Sequence, residues 1–210
     1  MSILNQLSSS LNRRDEIPNQ ELARALAEKG DRKGVREVVG ALQSGNQNIK
    51  NDCIKVLYEV GELKPELISE YLPLFVDLLK SKNNRLVWGG MTALSTLTTL
   101  ESAILYERLP EIIDGAYRGS VIAKDHAVKI LVALAGVKEY TDDVQLLLLD
   151  RLRTSPDNQF PTYAEKTGQV ITEPHKSLFL SILHARLEEI EQESKRKRVE
   201  KVIRRIEKGG

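Results

Sequence analysis

The residues that could do chemistry in this chain are few and widely spaced. Its three histidines, His126, His175 and His184, hold no metal-ligand spacing with one another. Cys53, the lone cysteine, has no histidine at a useful spacing for a thiolate–imidazole pair. It falls on an apolar row of helical period, which reads as a buried structural thiol. Gly115 and Gly119 stand alone, so the sequence contains no phosphate-cradling glycine loop. Together these patterns point away from an enzyme and imply neither a metal nor a cofactor.

Charge is the remaining chemical signal. The 210 residues carry a formal net charge of +1, yet from Ser194 to Gly210 eight Lys or Arg oppose only Glu200 and Glu207, a net of +6 that leaves −5 for the rest. So local an excess suits a nucleic-acid or acidic-partner contact through Lys195, Arg196, Lys197 and Arg198, with Lys201, Arg204 and Arg205 beyond them. The competing reading is a capping helix with a solvated outer face. Val199, Val202, Ile203 and Ile206 would dock it, and Glu188, Glu189, Glu191 and Glu193 precede the basic run and attract it.

The elements that must position these groups are written as a repeat. Leu72-Pro73, Phe75-Val76, Asp77 and Leu79 recur 37 residues later as Leu109-Pro110, Ile112-Ile113, Asp114 and Ala116, and 37 residues earlier as Val35, Val38-Val39 and Leu42. The following segments repeat too: Ile49, Cys53, Val56-Leu57 and Val60 become Leu86, Gly90, Ala93-Leu94 and Leu97, then Ala123, Ala127, Ile130-Leu131 and Leu134. One helix pair per unit at a fixed period predicts an all-α solenoid.

Before the array, Ile3, Leu4, Leu7 and Leu11 predict a short capping helix, and Leu22, Ala25 and Leu26 a second one ending at Gly30. Pro73 and Pro110 lie inside helical patterns and predict kinks, unless the segment 65–71 is a separate short turn. After Thr154 the period breaks for a stretch holding Pro156, Pro161, Gly168 and Pro174, which reads as a long loop. Helical period then resumes at Leu178-Phe179 and Ile182-Leu183. The expected organisation is capping helices over 1–30, a repeat array over 31–152, a loop insertion over 153–175, and closing helices over 176–210.

Composition agrees: 41% apolar and 29% charged residues suit solvated helices, and only 5% aromatics suit narrow gaps filled by aliphatic side chains. No apolar run reaches the roughly 20 residues of a membrane span. The N-terminus lacks the basic start and continuous apolar core of a secretory signal, so a cytoplasmic location is expected.

On these residues the chain resembles the HEAT-repeat family, most clearly over 35–134. The marks are Leu72-Pro73 and Leu109-Pro110 in the first helices, Asp77 and Asp114 four positions on, and Lys50 and Lys124 early in the second helices. Departures are Arg36 in place of proline, Val87 in place of the basic residue, and Gly89-Gly90 where helices must pack. The resemblance implies a right-handed superhelical solenoid of about four to five helix pairs, capped at both ends, with second helices lining a concave side.

In that register Asn51, Lys55 and Tyr58 face outward, followed by Trp88, Thr92 and Ser95, then Asp125 and Lys129, and beyond the insertion His184. Trp88 is the sharpest member, because an indole on an exposed row is typical of binding hot spots. The bland alternative has it covering the space left by Gly89-Gly90, with Asp125 and Lys129 simply pairing along one helix. Some HEAT-like proteins are DNA glycosylases with a tryptophan and an acid in the groove, as Trp88 and Asp125 are here. Lys55 and Lys129 against Asp125 give too little positive charge for that reading. The expected function is a non-enzymatic scaffold or adaptor binding a protein or peptide partner, with nucleic-acid binding by the basic C-terminal helix as the alternative.

Overall fold

Punctuation residues decide where the helices begin and end in the computed structural model, which describes residues 2–208. Met1, Gly209 and Gly210, parts of the expected terminal caps, lie outside the described residues. The described chain is all-helical, 77% helix without strands. It divides into two compact units, Met1–Ala127 and Val128–Gly210, a division that falls inside the stretch 31–152 expected as one array.

The first unit opens with a single 3-10 turn, Ile3–Gln6, rather than the expected cap helix. Leu7 is buried there while Leu11 stays exposed, so the apolar period does not persist long enough to hold a helix. Next come α1 (Ile17–Lys29), α2 (Arg32–Ser44) and α3 (Gln47–Leu63). Gly30 takes the left-handed conformation at φ +64°, and its N–H closes α1 on Leu26 and Ala27. Asp31 then caps α2 through the Gly34 N–H at 2.9 Å, and Asn46 caps α3 through the N–H groups of Asn48 and Ile49.

Two 3-10 turns, Pro65–Leu67 and Ser69–Tyr71, lead into α4 (Leu72–Leu78). Pro73 therefore sits in the first turn of a new helix, where its missing N–H costs nothing, and the turn alternative replaces the kink. Then follow α5 (Asn84–Thr96), capped by Asn83, α6 (Ser102–Glu107) and α7 (Leu109–Arg118). Pro110 likewise opens α7, and the backbone breaks at Arg108 between α6 and α7. The first turns of α8 (Val121–Ala135) complete the unit.

Helices α1, α2 and α5 all pack against α3, and α4 packs against α5. Phe75, Leu57, Met91 and Leu94 are fully buried between them. Gly89 and Gly90 permit this closeness. A β-carbon at Gly89 would lie 2.6 Å from Cγ1 of Ile54 on α3, and one at Gly90 2.9 Å from the Phe75 carbonyl oxygen on α4. The glycine pair is thus a device for helix packing.

The second unit holds α9 (Thr141–Thr154), α10 (Phe160–Thr167), α11 (Glu173–Glu189) and α12 (Glu193–Lys208). Helix α10 occupies the stretch 153–175 that was expected to be loop. Phe160, Tyr163, Ala164 and Thr167 are all buried, at the spacing of one helical face, and Pro161 is harmless in the first turn. Their burial against α9 and α12 gives this short helix the tertiary support that its length alone does not.

Arg186 of α11 ties the unit's turns together. Its guanidinium donates to the carbonyls of Arg153 at 2.8 Å and Ser155 at 2.9 Å, pairs with Asp157 at 2.8 Å, and lies 4.6 Å from the Phe160 ring centroid. It thereby satisfies carbonyls left open at the C-terminus of α9. Gln145 of α9 anchors the next turn, donating to the Val170 carbonyl and accepting from Thr172 N–H and Oγ1. Among the described residues no helix is long and apolar enough to cross a membrane.

Candidate functional site

Trp88 stands on the second turn of α5, half-buried, with its ring centroid 5.7 Å from that of Tyr58 on α3 at an interplanar angle of 51°. Tilted aromatic pairs of this kind are favourable beyond the area they bury. The Arg85 guanidinium carbon lies 5.9 Å from the Trp88 ring centroid, one turn back on the same helix. One indole face is therefore spent inside the protein, while the side chain keeps access to solvent.

Beneath this pair lies a charged network built around a buried lysine. Lys55 is only 6% exposed, and its Nζ lies 2.6 Å from Glu59 Oε1, 3.1 Å from Glu16 Oε2 and 4.9 Å from the Tyr58 ring centroid. Glu16, just ahead of α1, also pairs with Arg85. Burial pulls the Lys55 pKa down, but hydrogen bonds with Glu59, Tyr58 and Glu16 outweigh it and hold the ammonium above its ordinary range. Burial pushes the Tyr58 phenol up as well. Lys55 is thus a charged strut without nucleophilic character.

This corrects the expected outward row. Lys55, Tyr58, Thr92 and Ser95 are buried rather than presented to a partner. For Lys55 the cause is α1, which packs along α3 and delivers Glu16 onto it. Thr92 turns its hydroxyl back to the Trp88 carbonyl at 2.8 Å. Asp125 is half-buried on α8; Lys129 and His184 are exposed and belong to the second unit, where His184 Nε2 lies 3.8 Å from Glu207. The structure thus brings Lys55, Tyr58, Trp88 and Thr92 of the predicted set together, with Trp88 alone of these accessible.

Two features escaped sequence reasoning. Ser95 Oγ lies 2.8 Å from His126 Nδ1 and also donates to the Thr92 carbonyl at 2.8 Å, so the hydroxyl proton goes to the carbonyl and Nδ1–H donates to the hydroxyl. Ser95 is 2% exposed, which makes the pair a packed link between α5 and α8. The second feature is a polar cavity of about 380 Å³ beside Arg85. At its floor buried Asp52 accepts from Ser9 N–H at 2.7 Å and Asn19 Nδ2 at 2.8 Å, while Asn19 Oδ1 accepts from Ser8 N–H. Only the 37-residue register could have signalled the Ser95 link; the cavity depends on where the N-terminal segment lies.

Cys53 is fully buried, and burial, reinforced by the charge of Asp52, pushes its thiol up to about 12. It is a core thiol with no thiolate at neutral pH.

The basic helix α12 packs against α10 and α11 through Val199, Val202 and Ile203. Lys195 bonds to Asn158, Arg196 donates to the carbonyls of Leu187 and Ile190, and Lys197 pairs with Glu193 at 2.6 Å. Arg198 holds Glu165 at 2.6 Å and drives that carboxyl below its ordinary range. These are the contacts of a docked cap. Lys201, Arg204 and Arg205 have no ion pair among the described residues.

No family model matches the chain, and no curated protein matches it. Solved structures of engineered proteins do. One superposes with a TM-score of 0.64 at 18% identity, covering 100% of this chain and 98% of that one. A second gives 0.61 at 17% identity, covering 100% of each. The likeness defines the class, an all-helical fold.

Proposed function

We propose that the chain is a HEAT-like α-helical solenoid of four to five helix pairs, acting without catalysis as a scaffold or adaptor for a protein or peptide partner inside the cell. The 37-residue sequence period and the helix pairs of the first unit support the architecture. The observation that carries the function is Trp88, fixed on Tyr58 above a neutralised network of Glu16, Lys55, Glu59 and Arg85 yet still accessible. With that charge balanced internally, recognition at this point rests on the apolar face of the indole. An anchor held in one orientation before binding loses little entropy when a partner arrives.

The test is capture of partners from the source cells by immobilised full chain, comparing wild type with Trp88→Ala and Trp88→Phe. A partner using this face is expected to weaken by roughly sixfold or more with Trp88→Ala, about 1 kcal/mol, and to be largely retained by Trp88→Phe. Thermal melts of the three proteins separate loss of contact from loss of fold. Equal retention of every partner by a folded Trp88→Ala protein removes Trp88 as the binding anchor.

A further inference from the structure

The sequence centres the basic charge of the last helix on Lys195 to Arg198, but in the structure each of those four residues already has a partner within the chain: Asn158, the end of α11, Glu193 and Glu165. The cations that follow them are different. Lys201, Arg204, Arg205 and Lys208 are exposed, and none makes an ion pair among the described residues. Their spacing of three, four and seven residues puts them on one face. That face lies opposite the buried Val199, Val202 and Ile203. We infer that the outer face of α12 is a binding surface for the phosphate backbone of duplex nucleic acid.

Three observations favour that partner over other polyanions. The apolar side of α12 is already consumed by α10 and α11, so the helix has no free hydrophobic face to insert into a lipid surface. The stripe contains no aromatic or aliphatic side chain to grip a peptide, so charge alone must be recognised. Its four cations extend over about 10 Å of helix, along which a duplex presents roughly six phosphates. So regular a row of charge places little demand on register, whereas an acidic peptide would need carboxylates at matching positions.

Other charged groups around α12 shape the surface. Glu200 and Glu207 border the stripe beside Arg204, at helical spacings of four and three residues; Glu207 also faces His184, and Glu165 on α10, held by Arg198, also feels the charge of Arg205 and Lys201. Arg205 lies over Gly168, where a β-carbon would come within 2.9 Å of its Nη2, so it is partly positioned by the fold. Lys201, Arg204 and Lys208 are the cleaner reporters.

The experiment uses the full chain and an end-labelled 20-base-pair DNA duplex of arbitrary sequence, read by fluorescence anisotropy. Affinity is expected to fall about a hundredfold between 50 and 200 mM salt, as four released counterions require. Lys201→Glu/Arg204→Glu/Lys208→Glu is expected to abolish binding at 50 mM. A control with the same change in net charge, Lys29→Glu/Lys33→Glu/Lys138→Glu, is expected to retain it, and circular dichroism melts check that both variants fold. The inference is overturned if the duplex is not bound at 50 mM, if the control loses binding equally, or if a 20-residue polyglutamate binds and the duplex does not.

Discussion

Lys55 shows how little a residue's type says about its role until its neighbours are known. A lysine on a predicted outward row becomes a buried strut because Glu16 and Glu59 close on it. Lys55→Met keeps the aliphatic stem but strands part of the acidic charge, and is expected to cost about 1–3 kcal/mol at neutral pH. That is less than a fully buried pair would, since Glu16 and Glu59 keep some solvent. Folding raises the Lys55 pKa, so its contribution is complete below the ordinary value of 10.5 and is lost as pH climbs from there through the raised value. Urea unfolding followed by Trp88 fluorescence should therefore show the wild-type advantage at pH 7 shrinking by pH 11. An advantage of the same size at both pH values would mean that packing, not charge, is what the substitution removes.

At the scale of elements, helix positions were legible in the sequence because their signals are local. Gly30, Asp31, Asn46 and Asn83 end or cap helices within a few residues of themselves, whereas the prolines at 73 and 110, which the sequence places inside helices as kinks, open new helices because the backbone breaks just before them. Helix α10 was not legible, because Pro161 and Gly168 mimic a loop and only burial of Phe160 and Tyr163 makes the segment worth ordering. Gly90 tests the packing argument directly. Gly90→Ala gains about 1 kcal/mol of helix propensity, but its β-carbon meets the Phe75 carbonyl at 2.9 Å and Leu78 Cβ at 3.1 Å. Overpacking of about 1–3 kcal/mol is expected to win, giving a lower melting temperature. A variant that melts higher would show that α4 and α5 have room to separate.

For the whole molecule, charge and stability meet at the C-terminal helix. The +6 of residues 194–210 set against −5 elsewhere looks like a detachable tail, but α12 buries Val199, Val202 and Ile203 against its own unit. That burial is on the order of 5 kcal/mol, an upper figure since unfolded chains bury some surface too. Truncation before Ser194 is therefore expected to lower helix content by more than the lost residues account for and to raise binding of a hydrophobic dye. A truncated chain with unchanged helicity per remaining residue would show α12 to be an appendage. Point reversals, not deletion, are the right probe of its charge.

By itself the sequence determined the helical class, the 37-residue period, the stop of α1 at Gly30, the burial of Cys53, and the singling out of Trp88, all of which follow from local chain geometry or from apolar spacing. Tertiary structure decided which predicted positions remain available. Burial of Lys55 depends on α1 lying along α3 and bringing Glu16 onto it, and the engagement of Arg196 and Arg198 depends on α11 and α10, so no pattern within one helix could reveal either. Charge reads the same in a sequence whether it faces water or, as Arg198 does, a carboxylate 2.6 Å away on another helix; only the packing of α12 against α10 distinguishes the two.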